Sequence, residues 1–298
     1  MKYRRLGNTE LNISVVGVGT WQFGGEWGKD FSQQEVNGIF DAARETEINF
    51  IDTAECYGDH LSERLVGEAI KRDRKNWIVA TKFGHRFAGF TARDHLFTPD
   101  AVKQQLEDSL KALQIEVIDL YQFHSGSNKE FDNDNLWTML DKQKQAGKIR
   151  FLGISISSRE ETNVYQTERA AKVGASVIQV VYNRLQRTPE DTVFPLCQQQ
   201  DLGVLARVPL ASGFLSGKYT VGAQFPPNDV RSKQSTEKIQ TTLLEVERIQ
   251  KEEVPEGIPM ASWALAWCLK HPVVTCVIPG CKNPEQVRQN AAATDLVE

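Results

Sequence analysis

Residues 177–182, Val177-Ile178-Gln179-Val180-Val181-Tyr182, form a nearly unbroken β-branched run with one polar side chain at its centre. Alternating apolar and polar residues mark a strand wetted on one face. A continuous run marks a strand covered on both, as in a parallel sheet. Seven more runs have this character: Val15–Gly19, Asn49–Asp52, Trp77–Lys82, Ile118–Phe123, Arg150–Ser155, Val204–Val208 and Val273–Pro279.

Segments of helical period separate these runs. Ser32 precedes Gln33, Gln34 and Glu35, a cap and capping box ahead of an apolar stripe at Val36, Ile39, Phe40 and Ala43. Thr98-Pro99-Asp100 opens another, with proline at the first helical position and Val102, Leu106, Leu110 and Leu113 on one face. Helices are predicted over 132–146, 159–173, 188–200, 236–253 and 259–270, and a last one from Asn283-Pro284-Glu285. Eight strands alternating with helices predict a (β/α)8 TIM barrel, with an open doubly wound sheet as the competing arrangement. The count of eight and the polar residues gathered after the strand ends favour the barrel. Lys2–Ser14 reads as an N-terminal β-hairpin with a Gly7-Asn8 turn, placed to close the barrel floor. Residues 220–235, with Pro226-Pro227-Asn228, read as a mobile loop near a site. Without repeats or low-complexity tracts, residues 1–298 are expected to form a single barrel domain.

The 298 residues carry a net charge of −4, with acids and bases interspersed, which leaves no basic footprint for nucleic acid or an anionic membrane. The five cysteines include no C-x-x-C pair, and most lie in apolar stretches, pointing to a reducing compartment. No apolar stretch approaches the ~20 residues needed to span a bilayer. A cytoplasmic location is expected, and no oligomeric state is readable.

Two nucleotide motifs fail on inspection. Gly17-Val18-Gly19 lacks the third glycine of a dinucleotide fingerprint, having Gln22 there, and Gly213 to Lys218 is one residue short of a P-loop. The histidines show no metal-ligand spacing, so no metal is expected. More informative are the strand ends. Asp52-Thr53-Ala54-Glu55-Cys56-Tyr57-Gly58 follows the second run, Lys82 ends the third, and His124 follows the fourth. Singly, such residues are ordinary caps, solvated cations or packing groups. On a barrel, consecutive strand ends lie side by side on the catalytic face, so these four side chains are expected to converge.

With those residues in place, the sequence resembles the aldo-keto reductase superfamily along nearly its whole length. The marks are Asp52-Thr-Ala-x-x-Tyr57-Gly58, Ser62-Glu63, Lys82, His124, Gly153-x-Ser155, Gln179, Tyr182-Asn183, Pro209-Leu210 through Gly217-Lys218-Tyr219, and Ile278-Pro279-Gly280. The resemblance implies an NADP-preferring oxidoreductase, NAD(H) being the alternative cofactor, of the alcohol dehydrogenase or carbonyl reductase type. It would reduce small aldehydes or ketones by hydride transfer. Tyr57 would be the general acid, Lys82 and Asp52 its tuning pair, and His124 the group orienting the carbonyl. A lysine about 4 Å from a phenol favours phenolate by roughly 4 kcal/mol at an effective dielectric of 20, about three pKa units, which is expected to bring Tyr57 toward neutral pH.

The resemblance also implies a cofactor extended across the barrel mouth. Ser155 and Gln179 would meet the carboxamide; Leu210, Ser212, Gly213, Leu215, Gly217 and Lys218 would surround the pyrophosphate. Gly280, Lys282, Gln286, Gln289 and Asn290 would hold the adenosine end, with Lys282 placed for a 2′-phosphate, while Thr20, Trp21 and Asp52 border the site. This chain departs from the family pattern at Ile156, at His60, which is expected to narrow the pocket, and at Arg207. The last is read either as a planar substitute for a stacking aromatic or as the partner of a neighbouring carboxylate. Trp21, Phe23, Trp27, Phe87 and Phe90 are expected to rim the substrate pocket. Two competing readings are a non-catalytic nucleotide-binding member of the fold and a lyase using Lys82 as a Schiff-base former.

Overall fold

The computed structural model describes residues 1–157 and 159–297. Two short strands, β1 (Tyr3–Arg5) and β2 (Asn12–Ser14), pair antiparallel in the register Tyr3↔Ser14. The turn between them is longer than the two residues expected. It runs through Leu6, whose N–H reaches the Leu11 carbonyl at 2.8 Å, and its Gly7 has φ +55 with the chain so close to Gly203 that a Cβ would overlap the backbone.

The main sheet holds eight parallel strands: β3 (Val18–Gly19), β4 (Phe50–Asp52), β5 (Ile78–Phe83), β8 (Ile118–His124), β9 (Ile149–Ser155), β10 (Ala175–Val181), β11 (Gly203–Arg207) and β12 (Cys276–Val277). They lie side by side in chain order. Parallel bridges Val16↔Val277 and Gly19↔Gly280 join the last edge to the first and close the barrel. A separate antiparallel hairpin, β6 (His85–Gly89) and β7 (Ala92–His95), rises between β5 and the following helix. Sequence periodicity did not reveal it.

Side chains alternate across each strand, and that parity organises the molecule. One face of the strands packs outward onto the helices through a large cluster that includes Ile51, Val79, Phe83, Tyr121, Ile154 and Ile178. The other face fills the barrel interior with Phe50, Ala80, Leu120, Val177, Leu205 and Cys276, plugged from below by Leu6, Leu11 and Ile13 of the hairpin. Moving up each strand by two residues, the inward positions turn polar: Asp52 above Phe50, Lys82 above Ala80, Gln122 and His124 above Leu120, Gln179 above Val177, Arg207 above Leu205.

Helix starts follow local chemistry. Ser32 closes a capping box with Glu35 ahead of α1 (Gln33–Glu45), and Thr98 caps α3 (Pro99–Leu113). Between them, α2 spans Leu61–Ile70. The helices predicted over 159–173 and 188–200 are broken, each into an α-helix and a 3-10 turn. Residues 220–235, expected as a mobile loop near a site, reach the cavity wall at Val230 and Arg231 and bond to the segment around Gly28. Gly28 N–H donates to the Asn228 carbonyl at 3.1 Å, Val230 N–H to the Glu26 carbonyl at 3.0 Å, and the buried pair Asp229–Arg231 sits at 2.7 Å. Among the described residues no helix is long and apolar enough to cross a membrane.

Candidate active site

The polar upper layer of the barrel opens into a cavity of about 500 Å³. Asp52, Tyr57 and His124 line it, and Lys82 lies directly beneath, fully buried. Lys82 Nζ donates to Asp52 Oδ2 at 2.8 Å, to the Thr53 carbonyl at 2.7 Å and to the Tyr57 hydroxyl at 3.2 Å. The Tyr57 and His124 rings meet edge to face at 6.3 Å. The structure thus brings the four strand-end residues together.

Local geometry explains how Tyr57 gets there. Gly58 adopts φ +66 and passes so close to Gly24 that a Cβ would lie 2.7 Å from its carbonyl oxygen. Behind the turn, Ser62 Oγ sits 2.8 Å from Thr20 Oγ1 and 2.9 Å from Thr53 Oγ1, and Thr20 donates to the Asp52 carbonyl at 3.0 Å. Trp21 stacks on Tyr57 at 6.0 Å, and its Nε1 donates to Glu26 at 2.9 Å.

A second tier was not singled out as a unit from the sequence. Gln179 Nε2 donates to Asp52 Oδ1 at 2.6 Å, Gln122 Nε2 to the same oxygen at 3.2 Å, and Ser155 Oγ to Gln179 Oε1 at 3.2 Å. Both carboxylate oxygens of Asp52 are therefore engaged. Charge and burial then set the protonation states. Burial pushes Tyr57 up to about 12; Lys82 pulls the other way, and Asp52 adds to the rise. This corrects the expectation of a phenol near neutral pH: Asp52 cancels much of the lysine's charge, and the dry site disfavours phenolate. Burial alone would lower Lys82, yet Asp52 and Tyr57 hold it above its usual value, so it stays a cation. Burial drives His124 well below the ordinary imidazole range, followed in weight by His85 and Lys82, so it is neutral.

Most of the residues expected around a cofactor stand on the cavity wall: Thr20, Trp21, Asp52, Gln179, Arg207, Leu210, Ser212, Gly213, Lys218, Gly280, Lys282, Gln286, Gln289 and Asn290. Ser155, Leu215 and Gly217 are not among the residues lining it. Arg207 donates from Nη2 to the Ile156 carbonyl at 3.1 Å, and its Nε is buried without a partner among the described residues. Among the described residues no carboxylate pairs with it, which removes the ion-pair reading. Lys282 Nζ donates to the Trp27 carbonyl at 2.6 Å.

The aromatic rim is only partly as expected. Trp21 and Trp27 line the cavity, while Phe23 is fully buried in the core and Phe87 and Phe90 belong to the β6–β7 hairpin off the wall. His60 is also absent from the wall, bonded instead to Glu63 at 2.5 Å. Cavity residues that sequence reading missed include Cys56, His85, Thr91, Arg93 and Arg231. Arg93 and Thr91 reach in because buried Glu26 accepts from Arg93 Nη2 at 2.5 Å and from Thr91 N–H at 2.7 Å. These partners lie more than sixty positions apart in the chain, and no local pattern announces them.

Comparison with known proteins agrees with this architecture. Residues 15–298 match the Aldo/keto reductase family. The chain is 33% identical over 300 residues to the uncharacterized oxidoreductase YqkF of Bacillus subtilis (strain 168), covering 99% of this chain and 92% of that protein. It is 28% identical to the NADH-specific methylglyoxal reductase of Escherichia coli (strain K12), covering 99% and 94%. Among solved structures, the holo form of aldo-keto reductase AKR11C1 from Bacillus halodurans superposes with a TM-score of 0.82 at 32% identity, covering 99% and 91%. This chain belongs to the aldo/keto reductase family.

Proposed function

We propose that this aldo/keto reductase converts small aldehydes or ketones to alcohols with a reduced nicotinamide dinucleotide, and that Tyr57 is its proton donor. One observation carries the reading: a phenol oxygen on the wall of a cavity, 3.2 Å from a buried ammonium that is itself 2.8 Å from a carboxylate. A relative whose name specifies NADH and methylglyoxal supports the cofactor class and a small carbonyl substrate.

The wall has donors that fit such a cofactor. The orphaned Nε of Arg207 needs a partner, and its planar guanidinium suits a flat ring. Gln179 is assigned to the carboxamide, with Ser155 fixing its orientation through their hydrogen bond. The Leu210–Lys218 segment would follow the pyrophosphate, with Leu215 and Gly217 shaping it from behind. Gly280, Lys282, Gln286, Gln289 and Asn290 would hold the adenosine end. When bound, the reduced nicotinamide supplies the hydride.

The chain's own residues handle the proton. At neutral pH Tyr57 keeps its proton and is a loaded acid, ready to give it to the carbonyl oxygen. Lys82 stabilises the phenolate left behind, and Asp52 keeps Lys82 in place and charged. Neutral His124 orients the carbonyl by hydrogen bonding. The sign of the Tyr57 shift favours reduction: alcohol oxidation needs phenolate, so its rate should climb about tenfold per pH unit through the neutral and alkaline range.

Lys282 favours NADPH over NADH, as a cation for a 2′-phosphate. A panel of carbonyl compounds assayed with each cofactor, following loss of near-ultraviolet absorbance, tests the activity. No turnover with any carbonyl would remove the proposal. Equal dissociation constants for the two reduced cofactors by fluorescence quenching would remove the Lys282 assignment alone.

A further inference from the structure

Beside Tyr57, Cys56 and His124 on the cavity wall and the buried Glu55 next to them form a second group, of which the proposed reaction uses only His124. A carboxylate oxygen of Glu55, the thiol sulfur of Cys56 and a ring nitrogen of His124 all lie within 4.8 Å of one another. Cys56 Sγ and His124 Nδ1 are 3.9 Å apart. Glu55 is 3% exposed; its Oε1 accepts from the His85 N–H at 2.9 Å, while its Oε2 is buried without a partner among the described residues. So is Nδ1 of His85, whose ring lies 4.9 Å from that of His124. A dry carboxylate oxygen with nothing donating to it is costly unless a charge arrives to meet it.

The geometry points to a site for a borderline divalent cation, of the zinc or cobalt kind, held by Glu55, Cys56 and His124, whose occupancy closes the carbonyl pocket. Thiolate, imidazole and carboxylate form a donor set that suits such ions and that magnesium or calcium, which want oxygen, would not choose. Tetrahedral zinc places its ligand atoms roughly 3.5 Å apart, so the three groups need to draw together only slightly. Thiolate and carboxylate supply two negative charges and imidazole none. A divalent ion therefore leaves the set neutral in a buried place, the thiol and carboxyl protons passing to solvent. Two nearby cations are already matched, Arg93 by Glu26 at 2.5 Å and Lys82 by Asp52 at 2.8 Å. The fourth coordination position is left for water or for His85.

Binding is independent of the proposed reaction, whereas inhibition rests on it. Because Cys56 and His124 share the wall with Tyr57, a bound ion fixes the ring assigned to the carbonyl and takes up room where the carbonyl would sit. The full chain, stripped with a chelator, is titrated with cobalt(II) chloride and read by the thiolate-to-cobalt charge-transfer band in the near ultraviolet. One cobalt per chain with that band is expected, together with inhibition that is competitive with the carbonyl and reversed by chelator. Cys56→Ala should abolish the band, which also separates it from Cys281 elsewhere on the wall. Glu55→Gln should keep the band and weaken affinity by roughly tenfold or more. A wild-type chain without the band, a band that persists in Cys56→Ala, or unchanged affinity in Glu55→Gln overturns the site. A band without inhibition overturns the closure. A cobalt-binding chain that reduces no carbonyl when metal-free contradicts the reaction and leaves the site standing.

Discussion

The two halves of the cavity floor differ in how completely they are satisfied. On the Asp52 side, Lys82, Gln122 and Gln179 engage both carboxylate oxygens, and Lys82 spends its three donors on Asp52, Thr53 and Tyr57. On the His124 side, Glu55 Oε2, His85 Nδ1 and Arg207 Nε are all buried without partners among the described residues. Buried polar groups are nearly always paired, so the second half is where the protein keeps capacity for something it binds. The first half is built to hold one proton in place.

Substitutions test that contrast. The largest effect belongs to the closed half. Asp52→Asn leaves the Lys82 charge buried without its counter-ion and should cost about 3–5 kcal/mol in urea unfolding, as well as turnover. A stability near that of the wild type would show that the network is not closed as described.

Next comes Glu55 in the open half. Burial first, and Glu63 beyond it, push its carboxyl up to about 8, against an ordinary 4.5. A raised carboxyl pKa means the folded state holds a proton that the unfolded state gives up. Its contribution is fully present below pH 4.5 and is lost as pH rises through 8. Relative to Glu55→Gln, the wild type should lose a few kcal/mol across that window, each pKa unit being worth about 1.4 kcal/mol. Parallel stability profiles for the two proteins would contradict the dry, half-satisfied carboxyl described for Glu55.

Arg207→Met separates stability from binding. Removing a guanidinium with an orphaned nitrogen should change stability by less than about 1 kcal/mol, because no ion pair is lost. Nicotinamide affinity, by fluorescence quenching, should fall by roughly tenfold, the discrimination worth about 1.4 kcal/mol. Unaltered cofactor affinity would place Arg207 outside the binding surface. The smallest effect is a control: Ser32→Ala removes the capping box of α1, far from both halves. It should cost about 1 kcal/mol with no change in the pH profile of turnover.

What the sequence made legible follows from range. The barrel strands are continuous apolar runs, and every one of the eight appears where a run stands, because a strand covered on both faces has few other ways to be written. Asp52, Tyr57, Lys82 and His124 were readable as a group because each follows or ends a strand, and the barrel places strand ends together. Thr98 and Ser32 announce their helices through neighbouring residues alone. By contrast, the β6–β7 hairpin spans His85 to His95 with weak alternation, and its hold on the cavity depends on Glu26. The protonation of Tyr57 was misjudged because the lysine's pull is local and countable, whereas the cost of dryness belongs to the assembled site.

The most direct test is Tyr57→Phe, which removes one hydroxyl while leaving the Asp52–Lys82 pair and the cavity wall in place. Single-turnover and steady-state carbonyl reduction should be abolished, with the dissociation constant for the reduced nicotinamide cofactor close to that of the wild type. Near-normal turnover in that variant would contradict the assignment of Tyr57 as the acid.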